Sequence, residues 1–206
     1  MQLSKQTFAY VGEWTQAYLH VPYWRDRTMD DKIAFSVPWF DIIARVVEGS
    51  AAPYYFLRSS DYVSILAVTT DGSVLLVSQH RPAVGEDTLE LPSGHVEDSE
   101  LPEAAARREL AEETGYCAKK FELLGTLAPD TGRLENKLWC FYAGNATLLE
   151  SPVKREEGIV LVQCDPCELM HYVRQGEIKN GLHLAVLLLA AMRGWISIDP
   201  VSAASK

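Results

Sequence analysis

Basic charge is what this chain most conspicuously lacks: 19 lysines and arginines stand against 28 aspartates and glutamates, leaving a net charge of -9. Such a balance repels phosphate backbones and anionic lipid unless a local basic patch reverses it. No basic run interrupts the sequence, so neither nucleic acid nor a membrane is an expected partner. Long apolar stretches are missing too. The longest, Leu184 to Met192, is far shorter than the ~20 residues of a membrane-spanning helix, and the opening residues Met1 to Gln6 lack the continuous hydrophobicity of a signal peptide. Cysteine is scarce, at four residues, and without a secretion signal these are read as reduced thiols. Cys164 and Cys167 form a lone CxxC. Zinc there would need two further ligands, with His171 one candidate, so a strand end and a turn is the plainer reading. Internal repeats and low-complexity segments are absent. What remains is a cytoplasmic globular protein of 206 residues, 48% hydrophobic, enough to bury one real core.

The pattern changes along the chain. Residues 1–55 are irregular and rich in aromatics (Tyr10, Trp14, Tyr18, Tyr23, Trp24, Trp39, Phe40) and are expected to form an extension containing strands of its own. Residues 56–206 are expected to form the main domain. Short β-rich runs begin at Tyr54–Leu57 and continue through Tyr62–Val68 and Ser73–Val77, the last two separated by Asp71-Gly72, a strong hairpin signal. A strand at Thr88–Leu91 and a turn at Pro92-Ser93-Gly94 follow. The segment Pro102–Thr114 is dense in helix formers, with proline at the first position and Gly115 as the stop, although Leu101 makes a poor N-cap. Further strands are expected at Phe121–Leu127, Leu138–Ala143 and Ile159–Gln163, and helices at Pro166–Gln175 and His183–Arg193. The last is nearly all apolar and must pack on a sheet. Strands alternating with helices in this order make an α/β protein.

Carboxylates on the first helix carry the chemical signal. Glu109 and Glu113 are four residues apart and share a helix face, with Glu112 beside them. Like charges so placed destabilise a bare helix by a few tenths of a kcal/mol, and a cation relieves that repulsion. Oxygen ligands favour Mg²⁺, Mn²⁺ or Ca²⁺ over zinc. Arg108 stands four residues from Glu112, poised for a salt bridge. Taken alone, such a helix is equally well a solvated charged surface.

The surrounding residues give it a context. Gly94, Glu100, Arg108, Glu109, Leu110, Glu112, Glu113, Gly115 and Tyr116 fill the pattern Gly-x5-Glu-x7-Arg-Glu-(apolar)-x-Glu-Glu-x-Gly-(apolar), which resembles the Nudix box. Only Tyr116 departs, an aromatic where an aliphatic is usual. The resemblance implies a Nudix-type α/β/α sandwich with a mixed β-sheet, and a hydrolase that uses Mg²⁺, or Mn²⁺ in its place. It implies Glu109 and Glu113 as metal ligands, Glu112 adjacent to them, and the Ser93 carbonyl as a further ligand. Glu100 and Arg108 would orient the loop and helix.

Segments outside the box resemble the ADP-ribose pyrophosphatase branch: Gln79–Gly85, Leu89–Gly94, and Pro129–Glu135, where the branch's usual Pro-Gly is Pro-Asp. Arg155–Ile159 resembles an acidic loop supplying another metal-binding or base glutamate, which implies Glu157 first and Glu156 second; Gly176–Asn180 resembles the link to the closing helix. A diphosphate needs a guanidinium, for which Arg81 is best placed, then Arg58 and Arg133. Trp14, Trp24 and Trp39 are available to stack on a base but read more simply as core or dimer interface. The branch resembled implies a homodimer. The expected reaction is hydrolysis of ADP-ribose or a related nucleotide sugar to a nucleoside monophosphate and a sugar phosphate. The same chemistry on GDP-sugars, dinucleotides or damaged nucleoside triphosphates remains open, as does a module that senses a nucleotide without cleaving it.

Overall fold

The computed structural model of the chain describes residues 31–150 and 156–197. Trp14 and Trp24 lie outside the described residues, as does Arg155. Two sheets organise the molecule. A small antiparallel sheet is built from β1 (Asp31–Val37), β2 (Phe40–Arg45) and β3 (Tyr54–Arg58) in that order. The main sheet runs β11 (Ile159–Cys164), β5 (Val74–Arg81), β4 (Tyr62–Thr69), β10 (Leu138–Leu148), β8 (Tyr116–Cys117), with β6 (Glu86–Glu90) on β5, β7 (Ser93–His95) on β4 and β9 (Lys120–Leu127) on β10. The β4–β10 pairing is parallel and the other pairings are antiparallel, so the main sheet is mixed.

Strand β4 lies at the centre because it is apolar on both faces, as a strand covered on both sides must be. Val63, Ile65 and Ala67 point to a core shared with Ala105, Ala106 and Leu110 of helix α1 (Pro102–Thr114). Leu66 points the other way, to Leu169 of helix α2 (Pro166–Gln175) and Val186, Leu187 and Ala190 of helix α3 (Gly181–Met192). The sheet is thus sandwiched between α1 and the α2–α3 pair, the expected α/β/α arrangement. No helix among the described residues is long and apolar enough to cross a membrane.

Helix termini follow the chemistry of their flanking residues. Asp165 caps α2 by accepting from the N–H groups of Cys167 and Glu168, and Asn180 caps α3 by accepting from Leu182. The Asn180 cap is why α3 begins at Gly181, ahead of His183. Gly115 ends α1 in the left-handed conformation, φ 77°, with its N–H on the Ala111 carbonyl. At the other end Leu101 offers no side-chain cap.

Four local readings need correction. Ser93 and Gly94 form no free turn but pair as β7 with Ser64 and Val63 of β4, because a strand with open backbone groups lies alongside. Tyr54–Leu57 belongs, with Arg58, to the small sheet, through register with Asp41–Arg45; that sheet therefore crosses the expected division between residues 55 and 56. The strand read at Thr88–Leu91 is β6, Glu86–Glu90, set by its pairing with Val77–Arg81. Strand β10 continues past Ala143 to Leu148, where β8 pairs with it. Cys164 is buried at the end of β11 and Cys167 exposed in the first turn of α2, both as free thiols.

The small sheet grips the segment that follows Pro129. Leu57 donates to the Arg133 carbonyl at 2.8 Å and accepts from Glu135 N–H at 3.0 Å. Arg58 bridges Glu135 and Asp31, while Arg45 takes Asp31 on its Nε at 2.7 Å and lies over the Phe56 ring at 4.4 Å. The Arg45 hydrogen bond is the main reason the Asp31 carboxyl is held down at about 2. Because α1 lacks a cap, Leu101→Ser should supply one and raise stability by about 1 kcal/mol, read as a higher urea midpoint with an unchanged slope.

Candidate active site

One end of the sandwich opens into a cleft of about 450 Å³ where both helical layers meet the edges of β5, β6 and β7. Strand β5 contributes Gln79 and Arg81, β6 contributes Glu90, β7 contributes Ser93, Gly94 and His95, and α1 contributes Arg108, Glu109 and Glu113. Glu156 enters just before β11, and Asn180 and His183 come from the start of α3. A cavity of about 500 Å³ at the far end of α3, lined by Leu188, Met192 and Trp195 among others, carries no titratable side chain.

Helix periodicity brings Glu109 and Glu113 to the same inward face of α1, and both are buried. Ser93 N–H donates to Glu113 Oε2 at 2.8 Å. Burial outweighs that bond and pushes the Glu113 carboxyl up to about 8, with the Glu109 charge adding to the shift. Burial also raises Glu109, against the pull of Arg108. Gly94 is required here because a β-carbon on it would fall 1.9 Å from the Glu109 carboxyl carbon. Any side chain at that position pushes the carboxylate out of place.

Arg108 is the hub of the charge network. Its Nε and Nη2 grip Glu100 at 3.1 and 2.9 Å, and Nη2 also donates to the His95 carbonyl at 2.9 Å. Its Nη1 reaches Glu109 at 2.7 Å and Glu112 at 3.2 Å. Glu100 in turn accepts from Glu97 N–H at 3.0 Å, tying the loop before α1 to the helix; the Arg108 bonds hold its carboxyl below the usual range. Across the cleft, Arg81 makes a bidentate pair with Glu90 at 2.8 and 2.7 Å, and Thr88 donates to the same carboxylate. Burial works to raise Glu90, but these bonds win and keep it ionised.

The structure thus gathers Ser93, Glu109, Glu113, Arg108, Arg81 and Glu156 around one cleft, with Glu100 and Glu112 joined to it through Arg108. Glu156 N–H lies on the Glu112 carbonyl at 3.3 Å. Glu157 is exposed and is not among the lining residues. Arg58 is held by Asp31 and Glu135 beside a neighbouring cavity of about 440 Å³, and the Arg133 side chain is exposed and does not line the cleft. Glu90 lay within the Leu89–Gly94 resemblance but was assigned no role from sequence, and His183 gave no sequence signal of its own. One acid in a strand and one histidine in an apolar helix are usually structural, and only the fold places them against Arg81 and Ser93.

These residues fit a hard divalent cation. The donors are all oxygens, two of the carboxylates are buried without full countercharge, and Gly94 leaves room for them. As the side chains stand, no three His, Cys, Asp or Glu among the described residues converge as a metal cluster, and Arg108 Nη1 takes up Glu109 and Glu112. A cation would take over those bonds, and Arg108 would keep its grip on Glu100 and His95.

A model of the NUDIX domain matches residues 59–174, more than half of the chain. The chain belongs to the Nudix family. Among its relatives, an ADP-ribose pyrophosphatase of Bacillus subtilis is 33% identical over 134 residues, 64% of this chain and 71% of the relative. An ADP-sugar pyrophosphatase of Mus musculus is 44% identical over 79 residues, 36% of each chain. A methanol dehydrogenase activator of Bacillus methanolicus is 26% identical over 134 residues, 64% of this chain and 72% of the relative. A solved ADP compounds hydrolase superposes with a TM-score of 0.67 over 82% of this chain and 92% of that one; at 18% identity it speaks to the fold alone. This Nudix hydrolase therefore carries its family's box with the glutamates intact, and the family's dependence on a divalent metal agrees with the donor set.

Two outcomes follow from the buried carboxylates. A group whose pKa is raised on folding, as Glu113 is from 4.5 to about 8, gives stability that is complete below 4.5 and lost as pH rises through 8. Glu113→Gln should therefore stabilise the metal-free protein at pH 8 by about 2 kcal/mol and remove most of the stability loss between pH 5 and 8 that chemical denaturation records for the parent. Gly94→Ala should leave far-ultraviolet dichroism unchanged yet weaken divalent-metal binding in a calorimetric titration, since the new methyl displaces Glu109.

Proposed function

We propose that this Nudix hydrolase uses Mg²⁺ to cleave the diphosphate of ADP-ribose or a related nucleotide sugar, releasing a nucleoside monophosphate and a sugar phosphate. The observation that carries this reading is the pair of buried carboxylates, Glu109 and Glu113, set against the Ser93–Gly94 backbone with Arg81 facing them across the cleft. The cation would sit on Glu109 and Glu113, with Glu112 and the Ser93 carbonyl near at hand, and when bound it neutralises diphosphate oxygens and activates water. Arg81 has its Nε–Nη2 edge committed to Glu90, so it meets a phosphate oxygen with its remaining N–H groups from a fixed position. We assign the base to Glu156 in preference to Glu157, because Glu156 lines the cleft and adds its charge to those of Glu109 and Glu113. It takes the proton of the attacking water as the new P–O bond forms and the bond to the departing phosphate breaks.

Glu97 lines both the cleft and a neighbouring cavity bordered by Trp39 and Arg58. Two adjacent cavities suit a ligand with a group on either side of a diphosphate. The names of the Bacillus subtilis and Mus musculus relatives support ADP-ribose and its kin as the first substrates to test. Residues 1–55 we read as a dimerising extension to the catalytic domain, in a cytoplasmic homodimer. In support, Ile33, Phe35 and Tyr55 of the small sheet are 63%, 58% and 51% exposed, an apolar surface that a second copy would cover.

The test is a product assay with Mg²⁺ over ADP-ribose, GDP-mannose, UDP-glucose, NADH, diadenosine polyphosphates and oxidised nucleoside triphosphates. AMP and ribose phosphate should form from ADP-ribose above the rest, vanish under chelation and drop about a hundredfold or more in Glu109→Gln. Nucleotide binding with no cleavage anywhere on the panel would overturn hydrolysis in favour of a sensor, and cleavage of another member would replace the substrate alone.

A further inference from the structure

Helix α3 reaches the cleft through His183, a side chain 1% exposed. Its Nδ1 faces the backbone N–H of Leu91 at 3.2 Å. A backbone amide can only donate, so Nδ1 is the bare nitrogen and the ring proton sits on Nε2. Nε2 then donates to Ser93 Oγ at 3.0 Å, and Ser93 Oγ donates onward to the Leu91 carbonyl at 2.8 Å. The Asn180 amide nitrogen stands 3.5 Å from Nε2, but its own oxygen is committed to Leu182 N–H, so it takes no proton from the ring. The donor order is therefore unique, and it closes a ring of bonds around Pro92, whose carbonyl accepts from Ile65 N–H of β4 at 2.9 Å.

That ring fixes the corner between β6 and β7. The next donor along the backbone, Ser93 N–H, holds the buried Glu113 carboxylate, and Gly94 lies directly under Glu109. We propose that His183 is a positioning residue for the metal: by locking the Leu91–Ser93 corner it sets where the Ser93 backbone and the Glu113 carboxylate stand, and with them the affinity for a divalent cation. This rests on the reading of Glu109 and Glu113 as metal ligands. An apolar residue of similar size would fill the space but leave the Leu91 N–H buried without an acceptor and Ser93 Oγ with only its bond to the Leu91 carbonyl. Hydrogen-bonded neighbours that orient a ligand act on metal affinity in this way, by about 10–100-fold.

The experiment is a Mn²⁺ titration of the metal-stripped full chain, read by the electron paramagnetic resonance of free Mn²⁺, with a thermal melt of each protein. The proteins are the parent, His183→Leu, His183→Gln and Glu113→Gln, with His183→Met as a second apolar probe should the leucine variant not fold. The apolar variants should fold and bind Mn²⁺ about 10–100-fold more weakly, while Gln, whose amide offers both an acceptor and a donor, should recover much of the loss. An apolar variant that binds Mn²⁺ as the parent does overturns the inference. So does a Gln variant that melts like the parent yet binds no better than Leu. If the parent itself binds no Mn²⁺ in a way that Glu113→Gln abolishes, the metal reading falls and takes the inference with it, an outcome visible in the parent before any His183 variant is measured.

Discussion

Two carboxylates drawn out of water on one face of α1 are the constraint around which the rest is arranged. Burying an acid without full compensation is costly, and in the metal-free chain the cost appears as the upward shifts at Glu109 and Glu113. The neighbours limit that cost without removing it. Arg108 lends part of its charge to Glu109 and spends the rest on Glu100 and Glu112, and Ser93 gives Glu113 one hydrogen bond. The remainder goes unmet, and burial therefore still raises both carboxyls.

The same constraint explains features that look unrelated along the chain. Gly94 has no side chain because Glu109 occupies the space. Strand β7, held on β4, presents the Ser93 N–H to Glu113 of α1. Across the cleft, Arg81 is paired with Glu90 rather than with Glu109 or Glu113.

The small sheet bears on the site from outside. Its pairing of Leu57 with Leu134 and the Asp31–Arg45–Arg58–Glu135 cluster fix the segment that runs into Asn136, a lining residue of the cleft. Arg58, placed after Arg81 as a phosphate ligand from sequence, is held by two acid partners that are distant in sequence, Asp31 and Glu135.

Local rules were enough for much of the fold. The bounds of α1 at Pro102 and Thr114, the Gly115 stop, and α2 from Pro166 to Gln175 follow from propensity and capping, which act over a few residues. The face shared by Glu109 and Glu113 follows from the helical repeat alone, whereas their reading as metal ligands needed the surrounding pattern from Gly94 to Tyr116. Pairings between remote segments could not be read that way. The capture of Ser93 by β4, the recruitment of Tyr54–Arg58 to the small sheet and the choice of Glu156 over Glu157 at the cleft wall depend on which strand lies alongside. Burial belongs to the same class: Glu90 and His183 became part of the site only when the packed sheet closed over them and left each polar atom to find a partner. Sequence by itself determined the elements and the chemical character of α1, because those are set by near neighbours; tertiary structure alone decided the buried charges and their partners, because desolvation is a property of the whole packed core.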